Sequence, residues 1–595
     1  YSWNICSNII CLLFSSYNIL MKKLLLIFVV NFVNAQQSYI DYLSPYHPVE
    51  GSSGMVVSQN YLSSDIGVEI LNKGGNAVDA AVAVGFSLAV TLPRAGNLGG
   101  GGFMLVYIKE KDEIFYIDYR SKSPLNSSIT KIFDLAKNKK FNPKDFTDDM
   151  FDKTRYGYKA PAVPGTVAGL LEAHKNFGKL SLKEVLEPVI RQASKGIKVS
   201  YDLNKVIEET PQLREDPESF RIYFKNNKAV TENSILKRPD LAKTFSLIAD
   251  QGMDGFYKGE IATLMVEAMN SNNGLFSLED FSSYKVSFGD PISTVYRGNL
   301  VFTAGPPSGG GITLLTALNI LSYFGLGELQ SDSTITYHLL AEAERRGHNN
   351  RSHFVGDPKY FNVPVKDLLS KERTKELAET INVKKASKST VVKKLDYVKE
   401  SKDTTHFSII DGEGNAVSNT YTLGYSFGSG VTIPGTGILM NNQMNNFAYR
   451  YGDKNEKGRS ASTGNKFEPG KKPMSTMAPT MVFNKENKLM LVTGSPGGTH
   501  IPAAVLRVIT GVIDFDLNIG DATMSPRVHK DWPNTGIMYE RTLSSDTVRG
   551  LKIIGHKVTP EHTMGSTQSI HIINGINYGY ADLRRPNAAV AIQPN

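Results

Sequence analysis

Two adjacent threonines, Thr404 and Thr405, stand where a lysine-rich stretch changes abruptly into a strand-like pattern. A threonine hydroxyl becomes a useful nucleophile when a base lies within hydrogen-bond reach. The α-amino group of the same residue can be that base, because its ordinary pKa is about 7.7–8.0. This requires Thr404 to be the first residue of a chain, released when its own hydroxyl attacks the Asp403 carbonyl. The pair also fits an ordinary strand, since threonine favours β-structure.

A serine nucleophile is a second possibility, because residues 424–428 read GYSFG and match the pattern G-x-S-x-G. Such a serine needs a strand before it and a helix after it. The stretch before Ser426 is strand-like, but SGVTIPGTG follows, with glycines and a proline where the helix should begin. We therefore predict that Ser426 lies in a loop and is not a nucleophile.

Metal and thiol chemistry have little support in the sequence. The histidines are scattered, with no H-x-x-x-H or H-E-x-x-H pair, and we interpret His406 as an ordinary strand residue. Both cysteines, Cys6 and Cys11, precede the first methionine, Met21. A mature chain beginning at Gln36 would contain no disulfide and no thiolate ligand. We expect neither a metal nor a cofactor.

The elements around the threonine pair differ on its two sides. Residues 384–402 are rich in lysine and predict an exposed linker. After Thr404, strand-like runs dominate, interrupted by one helix over 500–513. The sequence thus indicates a mixed first part, a flexible joint and a β-rich second part.

The first part alternates between strand and helix signals. Residues 54–59 predict a strand, and the Ala- and Val-rich run from Asn76 predicts a helix buried on all sides. A glycine run at 99–102 precedes an apolar strand, and the next strand ends near Arg120. Further helices are predicted over 161–178 and 334–350, the latter with its charged residues on a solvated face.

Composition and leader sequence bear on the class of protein. Hydrophobic content of 41% and charged content of 21% are typical of a globular protein. No Lys/Arg stripe interleaves with aromatic residues, which argues against nucleic acid as a partner. Residues 21–35 have the basic start, apolar run and small final residue of a signal peptide, too short to span a bilayer. We therefore expect a secreted or periplasmic protein without stable membrane insertion, and residues 1–20 to be a non-native upstream segment.

From about residue 50 to 585 the chain resembles the γ-glutamyltransferases, or glutathione hydrolases, of the N-terminal nucleophile hydrolase superfamily. Several long motifs occur in family order: GGNAVDAAVAVGFSLAVTLPRAGNLGGGGFMLVY, PAVPGTVAGL, TTHFSIIDGEGNAVSNTYTL, GILMNNQMNNF, KKPMSTMAPTMV, VTGSPGG and MGSTQSI.

The resemblance implies a catalytic set. The precursor would cut itself at the Asp403–Thr404 bond, so that Thr404 becomes both nucleophile and, through its amine, general base. Thr422 corresponds to the threonine that hydrogen-bonds the nucleophile. Gly497 and Gly498 correspond to the backbone oxyanion hole, where a glycine N–H can approach the developing negative charge without a side chain intervening.

The resemblance also implies a substrate-binding set. Arg120 corresponds to the arginine that binds the α-carboxylate of the substrate, for which its planar fork is well suited. Ser475 and Thr476 correspond to a Ser-Ser pair holding the same carboxylate. Gln443 corresponds to a residue that contacts the α-amino group, and Asn446 stands where an aspartate normally pairs with it.

Asn446 departs from the family pattern because a neutral amide lacks the charge that pairs with an ammonium group. Gly424 departs as well, replacing an Asn or Glu, and Arg120 is followed by Ser-Lys where Glu is usual. These changes motivate an alternative function, a related amidase of the same fold acting on glutaryl or other N-acyl substrates. A second alternative is an exported binding protein with a degraded site, against which the retained catalytic residues argue.

The resemblance implies an α+β fold, a four-layer α/β/β/α sandwich of the N-terminal nucleophile hydrolase type. It would be built from a large subunit, residues 36–403, and a small catalytic subunit, residues 404–595, which remain associated. The expected reaction is γ-glutamyl transfer and hydrolysis, from a small γ-glutamyl substrate such as glutathione to water or to an amino-acid or peptide acceptor. The polar stretch 449–472 is a candidate lid over the pocket, or an ordinary surface loop.

Overall fold

The computed structural model describes residues 44–136, 141–387, 403–449, 463–532 and 536–594. The predicted upstream segment and signal peptide lie outside the described residues, as do residues 388–402 of the linker and 450–462 of the candidate lid. The chain divides into a unit that ends at His47 and a unit Pro48–Asn595, and all sheets and helices given below belong to the latter.

Two seven-stranded antiparallel sheets form the centre of the structure. The Thr404 sheet has the strand order Ala589–Ile592, Met55–Ser58, Thr405–Ile410, Ala416–Thr422, Gly101–Ile108, Glu113–Tyr119, Ser287–Gly289. The second sheet has the order Val49–Gly51, Ile576–Ala581, Gln568–Ile573, Leu489–Thr493, Thr480–Phe483, Asn299–Thr303, Ile292–Tyr296.

The two sheets pack face to face, and both faces of the inner strands are covered. Strand Thr405–Ile410 contacts Gln568–Ile573 of the second sheet and helix Ala77–Thr91 on its other side. Every residue of strands Thr405–Ile410 and Ala416–Thr422 is therefore buried, without the polar–apolar alternation of a half-exposed strand.

Strands from both sides of the Asp403–Thr404 bond contribute to the Thr404 sheet. Thr405–Ile410 pairs with Met55–Ser58, and Ala416–Thr422 pairs with Gly101–Ile108. The two parts of the chain thus share one hydrogen-bonded sheet and one apolar core, which explains how they would stay together after a cut between them.

Helices cover the outer faces of both sheets. They are Tyr61–Asn72, Ala77–Thr91, Ile129–Phe133, Asp148–Lys153, Thr166–Phe177, Leu182–Lys195, Tyr201–Glu208, Pro217–Tyr223, Pro239–Gln251, Met253–Tyr257, Glu260–Ser271, Leu278–Ser282, Gly309–Leu321, Thr334–Phe354, Val365–Leu368, Lys371–Glu379, Ile501–Asp514, Ile519–Met524 and Ser545–Ile553. The predicted four-layer α/β/β/α arrangement is confirmed. Helix Ala77–Thr91 is buried along its whole length, as predicted, and begins with a capping box between Asn76 and Asp79.

One prediction about the helices is wrong. The charged residues of helix Thr334–Phe354 do not form a solvated face, since Glu342, Glu344, Arg346 and Arg351 are all buried. The helix packs against neighbouring helices on more than one side, among them Gly309–Leu321 and Ser545–Ile553. Its charges are accommodated by pairing with one another and with residues from the second part of the chain.

Within the described part of the chain, none of the helices has both the length and the apolar character needed to cross a membrane.

Candidate active site

The register of the Thr404 sheet brings the predicted nucleophile against its predicted partner. Thr405 pairs with Tyr421 in adjacent antiparallel strands, so one further step places Thr404 opposite Thr422. Thr404 Oγ1 donates to Thr422 Oγ1 over 3.3 Å, and both side chains are nearly buried. A separation of eighteen residues in sequence thus becomes a direct contact because both threonines end neighbouring strands.

Thr422 contacts both sides of the Asp403–Thr404 bond. Thr422 Oγ1 donates to the Asp403 carbonyl oxygen at 3.0 Å while accepting from Thr404 Oγ1. A continuous line of hydroxyl groups therefore joins the attacking oxygen to the carbonyl that it would attack. The backbone N–H of Gly424 also donates to Thr422 Oγ1, at 2.9 Å, which fixes the position of that oxygen.

The side chain of Asp403 is held by a hydrogen bond and by an ion pair. Ser426 Oγ donates to Asp403 Oδ2 at 2.6 Å, and Arg94 Nη1 lies 3.8 Å from Asp403 Oδ1. Ser426 lies in a turn with no helix after it, so the prediction that it is a loop residue is confirmed. Sequence reasoning missed Arg94, because nothing in its local sequence links it to residue 403.

Arg120 follows the last residue of strand Glu113–Tyr119 and is buried. Its Nη2 donates to Asn446 Oδ1 at 2.8 Å, and its Nε donates to the Pro473 carbonyl at 3.2 Å. The Tyr284 hydroxyl donates to the Arg120 carbonyl at 2.9 Å. The contacts with Asn446 and Pro473 hold the guanidinium group in one orientation, as a carboxylate-binding site requires, and Tyr284 holds the backbone of Arg120.

A small cavity joins the threonines to Arg120. Seven of the predicted site residues line it: Arg120, Thr404, Thr422, Asn446, Ser475, Thr476 and Gly498. The rest of its described lining is Gly424, Tyr425, Met474, Met477 and Ile501. The predicted catalytic and substrate-binding sets thus converge on one place.

Gln443 lies immediately behind this wall. Its Nε2 donates to the Thr422 carbonyl at 2.8 Å, and its Oε1 is buried without a hydrogen-bond donor among the described residues. A buried amide oxygen without a donor is costly. Gln443 is not among the described residues that line the cavity, and it contacts the wall through Thr422.

Gly497 and Gly498 lie just before helix Ile501–Asp514, with φ values of 132° and 58°. These are conformations that favour glycine. The first N–H groups of a helix have no intrahelical acceptor, and the helix dipole adds partial positive charge there. This turn is therefore suited to stabilising a negative oxygen.

The structure explains why residue 424, one of the departures from the family pattern, is a glycine. Its φ is 106°, and a Cβ atom built there would lie 2.0 Å from Asn442 Oδ1. Asn442 Oδ1 accepts a hydrogen bond from the Tyr425 N–H at 3.0 Å. No side chain fits at residue 424 in this arrangement of the loop.

The histidines are scattered along the chain, yet two groups come together in space. One contains His338, Glu342 and His556, and the other contains Glu344, His348 and His529, each with its candidate ligand atoms within 4.8 Å of one another. Nothing in the sequence indicated these two groups, because their residues come from distant parts of the chain.

Both clusters already contain their own counter-charges. Glu342 Oε1 accepts from Lys530 Nζ at 2.6 Å, and Glu344 Oε1 lies 2.5 Å from His529 Nδ1. His406 belongs to neither cluster. It is a buried strand residue with a hydrogen bond to Thr420 Oγ1 at 2.8 Å, and burial lowers its pKa to about 3.

Comparison with known proteins agrees with this geometry. The sequence model of the family described as gamma-glutamyltranspeptidase matches residues 63–592. A glutathione hydrolase proenzyme of Escherichia coli strain K12 is 39% identical over 545 residues, which are 91% of this chain and 92% of that protein.

Two solved structures show the same fold. Cephalosporin acylase from Bacillus halodurans matches with a TM-score of 0.80 at 27% identity, covering 94% of this chain and 99% of that chain. Gamma-glutamyltranspeptidase from Pseudomonas nitroreducens, complexed with L-DON, matches with a TM-score of 0.51 at 36% identity, covering 55% of this chain and 94% of that chain. The fold, the converging site and the match over most of its length together show that this chain belongs to the gamma-glutamyltranspeptidase family.

Proposed function

We propose that this protein is a proenzyme that cuts itself between Asp403 and Thr404 and then transfers γ-glutamyl groups from amides such as glutathione to water or to amines. The products of the cut are a large subunit, residues 36–403, and a small subunit, residues 404–595. The observation that carries this proposal is the line of hydroxyl groups from Thr404 through Thr422 to the Asp403 carbonyl. The names of the relatives, a glutathione hydrolase proenzyme among them, support it.

Self-cleavage uses the hydroxyl of Thr404 on its own peptide bond. Thr404 Oγ attacks the Asp403 carbonyl carbon, a C–O bond forms, and the C–N bond breaks as the nitrogen of Thr404 takes up a proton. Water then hydrolyses the resulting ester, which leaves a carboxyl group on Asp403 and a free hydroxyl and amine on Thr404. Thr422 orients both reacting groups, because its oxygen contacts each of them.

Catalysis by the mature enzyme uses the amine that cleavage creates. The neutral amine takes the proton from Thr404 Oγ as that oxygen attacks the γ-carbonyl carbon of the substrate. The N–H groups of Gly497 and Gly498 stabilise the oxyanion, and losing such a donor typically costs about 3 kcal/mol. The proton passes to the leaving amine, and water or an acceptor amine then releases the γ-glutamyl group from Thr404.

Substrate binding is assigned to the other end of the cavity. Arg120, with Ser475 and Thr476 beside it on the cavity wall, binds the α-carboxylate of the glutamyl group. Gln443 and Asn446 contact its α-amino group. All five side chains belong to buried or half-buried segments, so that the cavity is held open by packing and not by the substrate.

The experiment that tests this function combines mass spectrometry with a substitution. The purified wild-type protein should give two chains, with N-termini at Gln36, after removal of the signal peptide in an exporting host, and at Thr404. It should also hydrolyse a γ-glutamyl anilide. Thr404→Ala should remain one chain without turnover, whereas Thr404→Ser should still cleave and react. An uncut wild-type chain that turns over the anilide would refute the mechanism.

A second candidate is the amidase that accepts glutaryl groups, and the contact between Arg120 and Asn446 favours it. The amide oxygen of Asn446 already accepts from Arg120 Nη2, so that only its second lone pair remains for an ammonium group, and its NH₂ group is a donor. A donor does not bind an ammonium group. A higher kcat/KM on glutaryl anilide than on γ-glutamyl anilide would select this candidate over the first.

A further inference from the structure

A buried ion pair joins the two segments that carry the carboxylate-binding residues. Lys472 Nζ donates to Asp118 Oδ2 at 2.7 Å, and the side chains of Lys472 and Asp118 are only 2% and 7% exposed. The same ammonium group also donates to the Asp118 carbonyl oxygen at 3.2 Å and to Ser287 Oγ at 3.3 Å. A buried ammonium group, which has three donors, is thus matched by three acceptors.

The carboxylate of Asp118 connects this lysine to Arg120. Its Oδ1 accepts from the Arg120 backbone N–H at 2.9 Å, while its Oδ2 accepts from Lys472. Lys472 is followed by Pro473 and Met474, whose carbonyl oxygens accept from Arg120 Nε at 3.2 Å and from Arg120 Nη2 at 3.4 Å. The backbone and the guanidinium group of Arg120 are therefore both held against the segment that begins at Lys472.

The same segment carries the second half of the carboxylate-binding set. Ser475 and Thr476 follow shortly after Lys472 and line the cavity together with Arg120. In the proposed mature enzyme, Arg120 belongs to the large subunit, whereas Ser475 and Thr476 belong to the small subunit. Noncovalent contacts alone then set the spacing between the two halves, because the cut breaks the covalent connection. The ion pair of Asp118 and Lys472 is such a contact, with one residue from each subunit.

We propose that Lys472 is a positioning residue for recognition of the substrate α-carboxylate, acting through its ion pair with Asp118. Neither Lys472 nor Asp118 is among the described residues that line the cavity, so the pair acts through other residues. It fixes Arg120 at the distance from Ser475 and Thr476 at which one carboxylate can bind to all three. An ion pair suits this role, because two buried charges are tolerated only while they stay in contact.

The expected effect of this pair is on substrate binding and not on the chemical step. The α-carboxylate stands at the opposite end of the glutamyl group from the γ-carbonyl carbon that Thr404 attacks. Its contacts are therefore made equally in the bound substrate and in the transition state, and weakening them raises KM without lowering kcat. A glutaryl group carries a carboxylate at the same position, so the KM of a glutaryl substrate should rise by the same factor.

This inference rests on the proposed function, and the experiment separates the two. Hydrolysis of γ-glutamyl anilide by the wild-type protein tests the proposed function. Lys472→Met, which keeps the length of the side chain without its charge, tests the positioning role. We expect KM to rise about tenfold on both γ-glutamyl and glutaryl anilide, with kcat per cleaved chain within about twofold of wild type. Lys472→Arg should keep KM close to that of the wild type, because a guanidinium group can still pair with Asp118.

Lys471→Met is the matched control for the loss of a buried lysine. Lys471 directly precedes Lys472 and is equally buried, but its partner is Glu468 of the same subunit, at 3.0 Å. Its replacement should leave KM unchanged on both anilides. A rise in KM as large as that of Lys472→Met would show that any buried lysine of this segment has the same effect, and would overturn the inference.

Lys472→Met leaves Asp118 buried without its counter-charge and could therefore fail to mature. In that case the double variant Asp118→Asn/Lys472→Met replaces it, since an asparagine oxygen can still accept from the Arg120 N–H, and the same rise in KM is expected. A cleaved variant with a wild-type KM, or with a fall in kcat alone, overturns this inference. A wild-type protein that hydrolyses neither anilide refutes the proposed function instead.

Discussion

The hydroxyl of Thr422 lies 3.3 Å from that of Thr404, and it also donates to the carbonyl oxygen of Asp403 at 3.0 Å. In the uncut chain this oxygen is the point through which the nucleophile and the scissile carbonyl are aligned. Its position follows from the sheet register and from the Gly424 N–H, and neither depends on a bound substrate.

The first prediction concerns cleavage in a variant that lacks this hydroxyl. Thr422→Val keeps the shape of the side chain, so the strand Ala416–Thr422 should fold normally. We expect self-cleavage to slow by about tenfold to a hundredfold, since one hydrogen bond at the reacting carbonyl is lost. The uncut fraction on denaturing gels, followed over time, measures the effect. Thr422→Ser should cleave at close to the wild-type rate, and rapid cleavage of the valine variant would contradict the role of the hydroxyl.

A second prediction concerns substrate choice. Arg120 Nη2 donates to the neutral amide oxygen of Asn446 at 2.8 Å. Asn446→Asp replaces this amide by a carboxylate at the same place. Hydrogen bonds to charged groups are worth about 1.5–3 kcal/mol, against about 1 for neutral ones. We expect the ratio of kcat/KM on γ-glutamyl to glutaryl anilide to rise by roughly threefold to thirtyfold. The matched control is Asn445→Asp, at the neighbouring position, which contacts Thr154 and not Arg120.

A third prediction concerns the glycine turn before helix Ile501–Asp514. A Cβ atom at Gly497 would lie 3.1 Å from Gly565 Cα, in a backbone conformation that side chains rarely adopt. Gly497→Ala should therefore shift the turn and misplace its N–H groups, lowering kcat about a hundredfold. Gly289→Ala is the control, because a Cβ atom there meets nothing within 4 Å. An unchanged kcat in the first variant would remove this turn from the oxyanion site.

Much of this site could be predicted from the sequence, because the motifs that carry the resemblance contain the residues that line the cavity. The strands Thr405–Ile410 and Ala416–Thr422 were also predictable, since their apolar runs are short and separated by a segment rich in glycine. The alignment of Thr404 with Thr422 needed the register, which a pattern of apolar residues does not specify when both faces of a strand are buried.

Contacts between charged residues that are distant in sequence could not be predicted from the sequence. Helix Thr334–Phe354 has the composition of a solvated helix, yet it is buried because partners for its charges arrive from residues 529–531, far along the chain. Arg94 similarly meets Asp403 only through the fold. Long-range ion pairs leave no periodic signal in the sequence, so a charged residue is assigned to the surface by default.

The last prediction concerns the buried pair of Glu344 and His529. Burial alone would lower the pKa of His529, but the charge and hydrogen bond of Glu344 raise it above its ordinary value of 6.5. Burial would raise the pKa of Glu344, but His529 and a hydrogen bond from His348 hold it at about 2, below its ordinary 4.5. The raised histidine pKa contributes stability below pH 6.5 that is lost as the pH rises through the folded-state pKa. The lowered carboxyl pKa contributes stability above pH 4.5 that is lost as the pH falls toward 2. The pair is therefore fully stabilising between pH 4.5 and 6.5.

Glu344→Gln should remove this contribution and cost about 3 kcal/mol of unfolding free energy near pH 6, because a buried histidine is left without its counter-charge. The cost should shrink as the pH rises and His529 loses its proton in both proteins. Urea unfolding of both proteins at pH 6 and pH 9 measures the difference. Glu413→Gln, which removes an exposed partner of Lys179, should have little effect at either pH. A cost for Glu344→Gln that is equal at the two pH values would show that packing, and not the charge of His529, makes Glu344 stabilising.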